Sequence, residues 1–189
     1  VRDCIVTKNG IALRAESSLK LRVIDNTKRF TDMDNHWALD AVTFAAAREL
    51  FGGVGGSRFA PAQAMTRGMV NTVLARLAGE DTSGSTPWYA KGTDWAVRSG
   101  VSDGKSPESP ITREQMATML YRFADSPKVD GELSFTDAAQ VSAWARDAVK
   151  WCTENGILNG VSGSRLAPQA LAQRAQVAAM LQRFLQVTL

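Results

Sequence analysis

The chain has 189 residues, 44% of them hydrophobic, so it can bury a genuine core and is not a disordered segment. Lysine and arginine outnumber aspartate and glutamate by three (22 against 19) and are scattered, which excludes recruitment of nucleic acid or an anionic membrane surface by bulk charge. Two cysteines, Cys4 and Cys152, share no Cys-x-x-Cys spacing and signal neither a disulfide framework nor a zinc site; no apolar run approaches the ~18 residues of a spanning helix, so no membrane insertion is expected. The start at Val1, without methionine or leader, suggests a processed form or a fragment.

Residues 1–28 alternate apolar with polar in Ile11–Ala15 and Leu19–Val23, with an Asn9-Gly10 turn signal ahead of the first run. This predicts two or three short strands, either the tail of an upstream β domain or a lead-in packed on the remainder of the chain.

From Phe30 the period becomes helical and the chain repeats itself three times. The copies read Trp37, Phe44, Gly53, Pro61, Arg67; Trp88, Trp95, Gly104, Pro107, Arg113; and Trp144, Trp151, Gly160, Pro168, Arg174. Polar connectors at Gly79–Thr86 and Ser126–Glu132 divide the region into 29–80, 81–127 and 128–189. In each copy a first helix begins near the tryptophan and places the second aromatic on the same face two turns later. Gly52-Gly53, Gly104 and Gly160 are expected to end that helix through positive φ, and the prolines keep helix out of the loop. After each arginine, apolar residues recur at offsets three, six, seven and ten: Val70, Val73, Leu74, Leu77; Met116, Met119, Leu120, Phe123; Val177, Met180, Leu181, Phe184. Three such striped helices have chiefly one another to bury against, which predicts an all-α fold around a three-helix core.

The arginines are the anomaly. Thr66 and Thr112 are N-cap residues, and Gln115 completes a capping box, so Arg67 and Arg113 should open their helices. A cation there opposes the helix dipole at a cost of about 0.3–1 kcal/mol. Free N–H groups beside a guanidinium fork suit a carboxylate or phosphate, one pocket per repeat. The alternative is an internal pair with Asp32 or Asp137, or a solvated side chain. Indole faces likewise divide between sugar stacking and packing: Trp37, Trp88 and Trp144 lie beside the loops, whereas Phe44, Trp95 and Trp151 read as core. Asp32-Met33-Asp34-Asn35 lacks the glycine and glutamate of a calcium loop, His36 has no nucleophile in reach, and Cys152 sits in an apolar helix. No metal site, cofactor site or catalytic set is read from this region.

The same residues resemble an S-layer homology region, a three-repeat module. Phe30-Thr31-Asp32 with His36-Trp37-Ala38 and Phe135-Thr136-Asp137 with Trp144-Ala145 are similar to its repeat opening; Phe59-Ala60-Pro61 is similar to its loop end, and Ile111-Thr112-Arg113-Glu114 to its signature. The resemblance covers residues 29–187. It implies a three-pronged spindle in which the second helices form a central bundle and the first helices with their loops form prongs. It further implies a cell-wall polysaccharide partner, usually a secondary polymer bearing a pyruvate ketal on N-acetylmannosamine, and display outside a Gram-positive type of cell. Ligand contacts would then be Arg113, Arg67 and Arg174, in that order of fit to the signature, with Thr66 and Thr112 capping the donor helices. Gly53, Gly104 and Gly160 would admit close backbone approach, and Trp37, Trp88 and Trp144 would flank the sugar. All three copies depart in places: the middle one lacks a clear Phe-x-Asp opening and has Lys105 where the others have Phe59 and Leu166, the first has Met69 at the acidic signature position, and the third, Ala172-Gln173-Arg174-Ala175-Gln176, lacks the threonine cap. Two other readings are a protein-interaction or self-assembly module, and the tail of a secreted enzyme whose catalytic part lies upstream.

Overall fold

The computed structural model describes residues 26–188, together with the backbone of two short strands ahead of them. β1 (Ile5–Lys8) and β2 (Ile11–Arg14) pair antiparallel, with Ile5 opposite Arg14 and Lys8 opposite Ile11. The Asn9-Gly10 turn, the Leu19–Val23 alternation and Cys4 lie outside the described residues.

The repeats fold into six helices: α1 (Leu39–Ala47), α2 (Arg67–Leu77), α3 (Ala90–Arg98), α4 (Arg113–Phe123), α5 (Arg146–Glu154) and α6 (Arg174–Thr188). The region is all-α, as its period predicts, and the odd-numbered helices each begin two residues after their tryptophan. Every striped position of α2, α4 and α6 is buried except Phe123, which packs half-buried against the core. Trp95 and Trp151 are also buried; Trp95 lies 5.9 Å from Phe123, and Trp151 lies 5.9 Å from Tyr121 and 6.2 Å from Phe184, ring centre to ring centre. Phe44 is half-buried beneath the Arg48 guanidinium, 3.5 Å from the ring centre.

The glycine expectation needs correction. The left-handed residue that ends each first helix is Glu49 (φ 59°), Gly100 (φ 73°) or Gly156 (φ 66°), five positions after the aromatic. Gly53 and Gly160 do not turn through positive φ; they are small because the loop doubles back over them. A Cβ would stand 2.9 Å from the Arg58 carbonyl oxygen at Gly53 and 2.9 Å from that of Arg165 at Gly160.

Helix packing runs between repeats. α3 packs on α2, α5 on α4 and α1 on α6, so each first helix lies against the second helix of the preceding copy and the third copy closes onto the first. The extended residues just ahead of α2, α4 and α6 close the same circle. Met65 N–H donates to the Ala172 carbonyl, Ala172 N–H to Ile111 and Ile111 N–H to Met65, each at 2.9 Å. Each copy thus supplies one donor and one acceptor, and all six groups are satisfied only when three are present.

This closure predicts cooperative unfolding. Urea titrations followed by tryptophan fluorescence and by far-ultraviolet circular dichroism should give one coincident transition; two separated transitions would show the copies unfolding independently.

Candidate functional site

Local sequence fixes the helix starts. Thr66 Oγ1 accepts from Met69 N–H and Thr112 Oγ1 from Gln115 N–H, both at 3.3 Å, and Gln115 Oε1 completes the capping box by accepting from Thr112 N–H at 3.0 Å. Arg67, Arg113 and Arg174 are each the first residue of their helix. The expectation of free N–H groups there does not hold, because the adjacent copy has taken them. Arg67 and Gly68 donate to Ser109 and Pro107 carbonyls, Arg113 and Glu114 to Ala170 and Pro168, and Arg174 and Ala175 to Gln63 and Pro61. Any anion receptor at these ends therefore rests on side chains.

The arginine side chains bridge copies in the same sense. Nε donates to the Lys105 carbonyl from Arg67 (2.8 Å), to that of Leu166 from Arg113 (3.0 Å) and to that of Phe59 from Arg174 (2.7 Å). Nη2 donates to the Asn159 carbonyl from Arg113 (2.6 Å), to the Gly52 carbonyl from Arg174 (2.8 Å) and to the Asp103 carboxylate from Arg67. Arg113 and Arg174 are only 4% and 6% exposed, and the Arg174 guanidinium carbon also lies 4.5 Å from the centre of the Phe59 ring. Among the described residues Nη1 has no internal hydrogen-bond partner in any of the three. Among the described residues Asn71 Oδ1 is the one buried side-chain nitrogen or oxygen without a partner, so each Nη1 keeps at least slight contact with solvent. The guanidinium is locked by one edge, and its side chain lines a groove.

The aspartates of the internal-pair alternative act one step away. Asp32 accepts from Phe59 and Ala60 N–H and Asp137 from Leu166 and Ala167 N–H, all at 2.8 Å. One residue, Phe59 or Leu166, is thus held at its N–H by the aspartate of its own copy and at its carbonyl by the arginine of the copy before. The backbone donors to Asp137 hold its carboxyl below the usual range; for Asp32 burial pushes upward, but the Phe59 and Ala60 donors outweigh it. Burial pulls Arg113 and Arg174 down from the usual arginine value, and Asp137 and Asp32 oppose that pull across space.

Three grooves result, of about 400, 320 and 270 Å³. The Arg113 groove is walled by Asn159–Val161, Gln176 and Arg183 of α6, and Trp37. The Arg67 groove takes Ser102, Asp103, Gln115, Arg122 and Trp144, and the Arg174 groove takes Gly52–Val54, Met69, Arg76 and Trp88. In each, the signature arginine comes from one copy, the loop and second helix from the next, and the tryptophan from the third. Trp37, Trp88 and Trp144 are 65%, 50% and 57% exposed, so they are groove walls rather than core. Gly53 and Gly160 belong to groove loops; Gly104 (φ 71°) turns the middle loop. Thr66 and Thr112 set the helix starts and line none of the three.

Sequence reasoning missed the second arginine of each groove. Arg76, Arg122 and Arg183 stand nine residues after Arg67, Arg113 and Arg174, a recurrence as regular as the apolar stripe and visible in the chain itself. Among the described residues Arg183 has no hydrogen-bond or ion-pair partner, whereas Arg76 and Arg122 reach the Leu50 and Val101 carbonyls at 3.4 and 3.5 Å. Also missed was buried Glu114, whose carboxylate accepts from Ser142 N–H (3.0 Å), Ser142 O–H (2.8 Å) and Gln169 Nε2 (2.8 Å) and so ties α4 to the third copy.

A circularly closed set of helix pairs with a tryptophan and two arginines in each inter-repeat groove defines a three-copy tandem-repeat module. Residues 29–68 and 134–178 match the family model of the S-layer homology domain, and the chain belongs to that family. The middle copy, with its departures, lies outside both matched segments. Among relatives, the chain is 29% identical over 177 residues to an exoglucanase XynX of Acetivibrio thermocellus, covering 84% of this chain and 16% of that protein. It is 31% identical over 172 residues to an amylopullulanase of Thermoanaerobacterium thermosulfurigenes (82% and 9%), and 29% identical over 164 residues to a surface-layer 125 kDa protein of Lysinibacillus sphaericus (75% and 13%). The chain therefore spans less than a fifth of the length of each of these relatives.

Because Arg113 satisfies two carbonyls across a copy boundary, Arg113→Ala should lower the unfolding free energy by about 3 kcal/mol in urea titration. Trp37→Ala should change it by no more than about 0.5 kcal/mol. Protonating Asp32 and Asp137 should loosen both long loops. Their carboxyls titrate lower in the folded than in the unfolded chain, so their contribution is whole above the unfolded value of about 3.9 and is lost as pH falls through the folded value. Asp137→Asn should flatten that part of the acid-unfolding curve.

Proposed function

We propose that the chain is a non-catalytic module that holds a larger surface protein to the bacterial cell wall, outside the cell, by binding an anionic cell-wall polysaccharide in its inter-repeat grooves. The polymer is a secondary cell-wall polysaccharide carrying pyruvate ketals, of a Gram-positive type of envelope. The observation that carries this reading is that Arg113 and Arg174 each line a groove together with an exposed indole and a second arginine. A ketal carboxylate would pair with the guanidinium edge and the sugar face would stack on the indole. Arg67, Arg113 and Arg174 are the carboxylate partners, and Trp37, Trp88 and Trp144 the sugar platforms. Gly53, Gly104 and Gly160 shape the loops, and Thr66 and Thr112 fix the helix ends that carry the arginines.

Relatives with these repeats include both polysaccharide-degrading enzymes and surface-layer proteins, as their names state, which fits an anchor appended to different cargoes. The cargo here, enzyme or lattice protein, belongs to the rest of the polypeptide. Among the described residues the large exposed apolar side chains are the groove-lining Trp37, Trp88, Trp144, Val54 and Val161 and four others apart from the grooves, a pattern of small separate apolar spots that suits a glycan better than a protein interface.

Purified walls should retain the chain, and mild acid that removes ketal-linked pyruvate should abolish retention. Arg183→Ala should weaken retention several-fold with unchanged thermal stability, and the combined Trp37→Ala, Trp88→Ala, Trp144→Ala variant should lose it, since several weak sites on one polymer act together. Full retention of the triple variant, or of the native chain on depyruvylated walls, would overturn the reading.

A further inference from the structure

The three grooves share a plan but not a charge. In the Arg113 groove the charged lining residues are Arg113 and Arg183, and in the Arg174 groove they are Arg174 and Arg76. The Arg67 groove has Arg67 and Arg122 but also Asp103, whose carboxylate is paired directly with Arg67 Nη2.

The pair originates in the shortened middle loop. Long loops are held by an aspartate from the repeat opening, which accepts from the N–H of Phe59 or Leu166. The middle copy has no such opening, and at the matching loop position Lys105 N–H donates instead to Asp103 Oδ1 at 3.1 Å. Asp103 does the work of the missing aspartate from the groove side of the loop. Asp32 and Asp137 spend their carboxylates on paired backbone N–H groups and line none of these grooves. Asp103 is 55% exposed at its side chain, and Arg67 is 17% exposed. A carboxylate arriving at Arg67 would meet a carboxylate already seated there.

We infer that Asp103 occupies the Arg67 groove as a built-in anion, leaving the Arg113 and Arg174 grooves as the two that accept a carboxylate ligand. This rests on the proposed glycan function and narrows it to two competent sites of three, with Asp103 as the residue that sets the difference. A like charge within ion-pair distance should weaken carboxylate binding there by on the order of tenfold.

Each groove carries its own reporter, because Trp37, Trp144 and Trp88 line the Arg113, Arg67 and Arg174 grooves respectively. The test titrates the methyl glycoside of N-acetylmannosamine bearing a pyruvate ketal into the whole chain and follows, among its five indole N–H resonances, those of the three groove tryptophans, assigned by single Trp→Phe variants. In the native chain Trp37 and Trp88 should move together, and Trp144 only at about tenfold higher probe. In Asp103→Asn, which keeps an acceptor for Lys105 N–H, Trp144 should move with the other two and calorimetric stoichiometry should rise from two to three. Trp144 moving in step with Trp37 and Trp88 in the native chain would overturn the closure while leaving the glycan reading intact; that arm does not depend on the folding of Asp103→Asn. All three indoles unmoved at millimolar probe would overturn the glycan reading and the closure with it.

Discussion

The structure depends on a trade of backbone hydrogen bonds around a circle. Met65, Ile111 and Ala172 each give one and take one, and the helix starts beside them donate their first N–H groups to the neighbouring copy. A lone helix-loop-helix copy would carry these donors and acceptors unpaired, with one face of its second helix uncovered. Pairing all of them fixes the angular relation of the three copies, and every groove inherits its width from that relation.

The arginines belong to this circle before they belong to any ligand. Placing a cation at a helix start works against the dipole, and the sequence invites a ligand as the reason. The geometry supplies a nearer one, since Nε and Nη2 pair with loop acceptors of the next copy, so the dipole penalty is offset by cross-copy hydrogen bonds to a charged donor. The two roles are compatible because a guanidinium has two edges. With Nε and Nη2 committed, the side chain would lose little further freedom on meeting an anion in the proposed role, which is the advantage of a pre-ordered receptor.

Much of this was legible in the chain because it repeats. The stripes at offsets three, six, seven and ten, the threonine caps at Thr66 and Thr112 and the inward aromatics Trp95 and Trp151 are local patterns, and each local pattern is set by helix geometry. What was not legible is what joins one copy to another. No spacing within a copy indicates that Arg174 ends on the Phe59 carbonyl 115 residues away, or that Trp37 walls a groove of the third copy. The left-handed helix ends were misplaced because Gly52-Gly53 and Gly160 are conspicuous, while the residue that turns in the first copy is Glu49, a type that rarely adopts positive φ. Arg76, Arg122 and Arg183 were within reach of the sequence, since the same interval occurs three times.

The middle copy shows how a repeat can lose part of its pattern and keep its place in the circle. Shortening the loop removes the hairpin that covers Gly53 and Gly160 in the other copies, and with it the need for an aspartate at the repeat opening. Something must still accept the Lys105 N–H and engage the neighbouring arginine, and Asp103 does both from a position where the other copies have Gly52 and Asn159. Those residues meet their arginine with a neutral backbone carbonyl, whereas Asp103 meets Arg67 with a charge. The fold is preserved by either arrangement because the arginine needs an acceptor at that point. The groove is not, because a carbonyl leaves the guanidinium its net charge and a carboxylate cancels it.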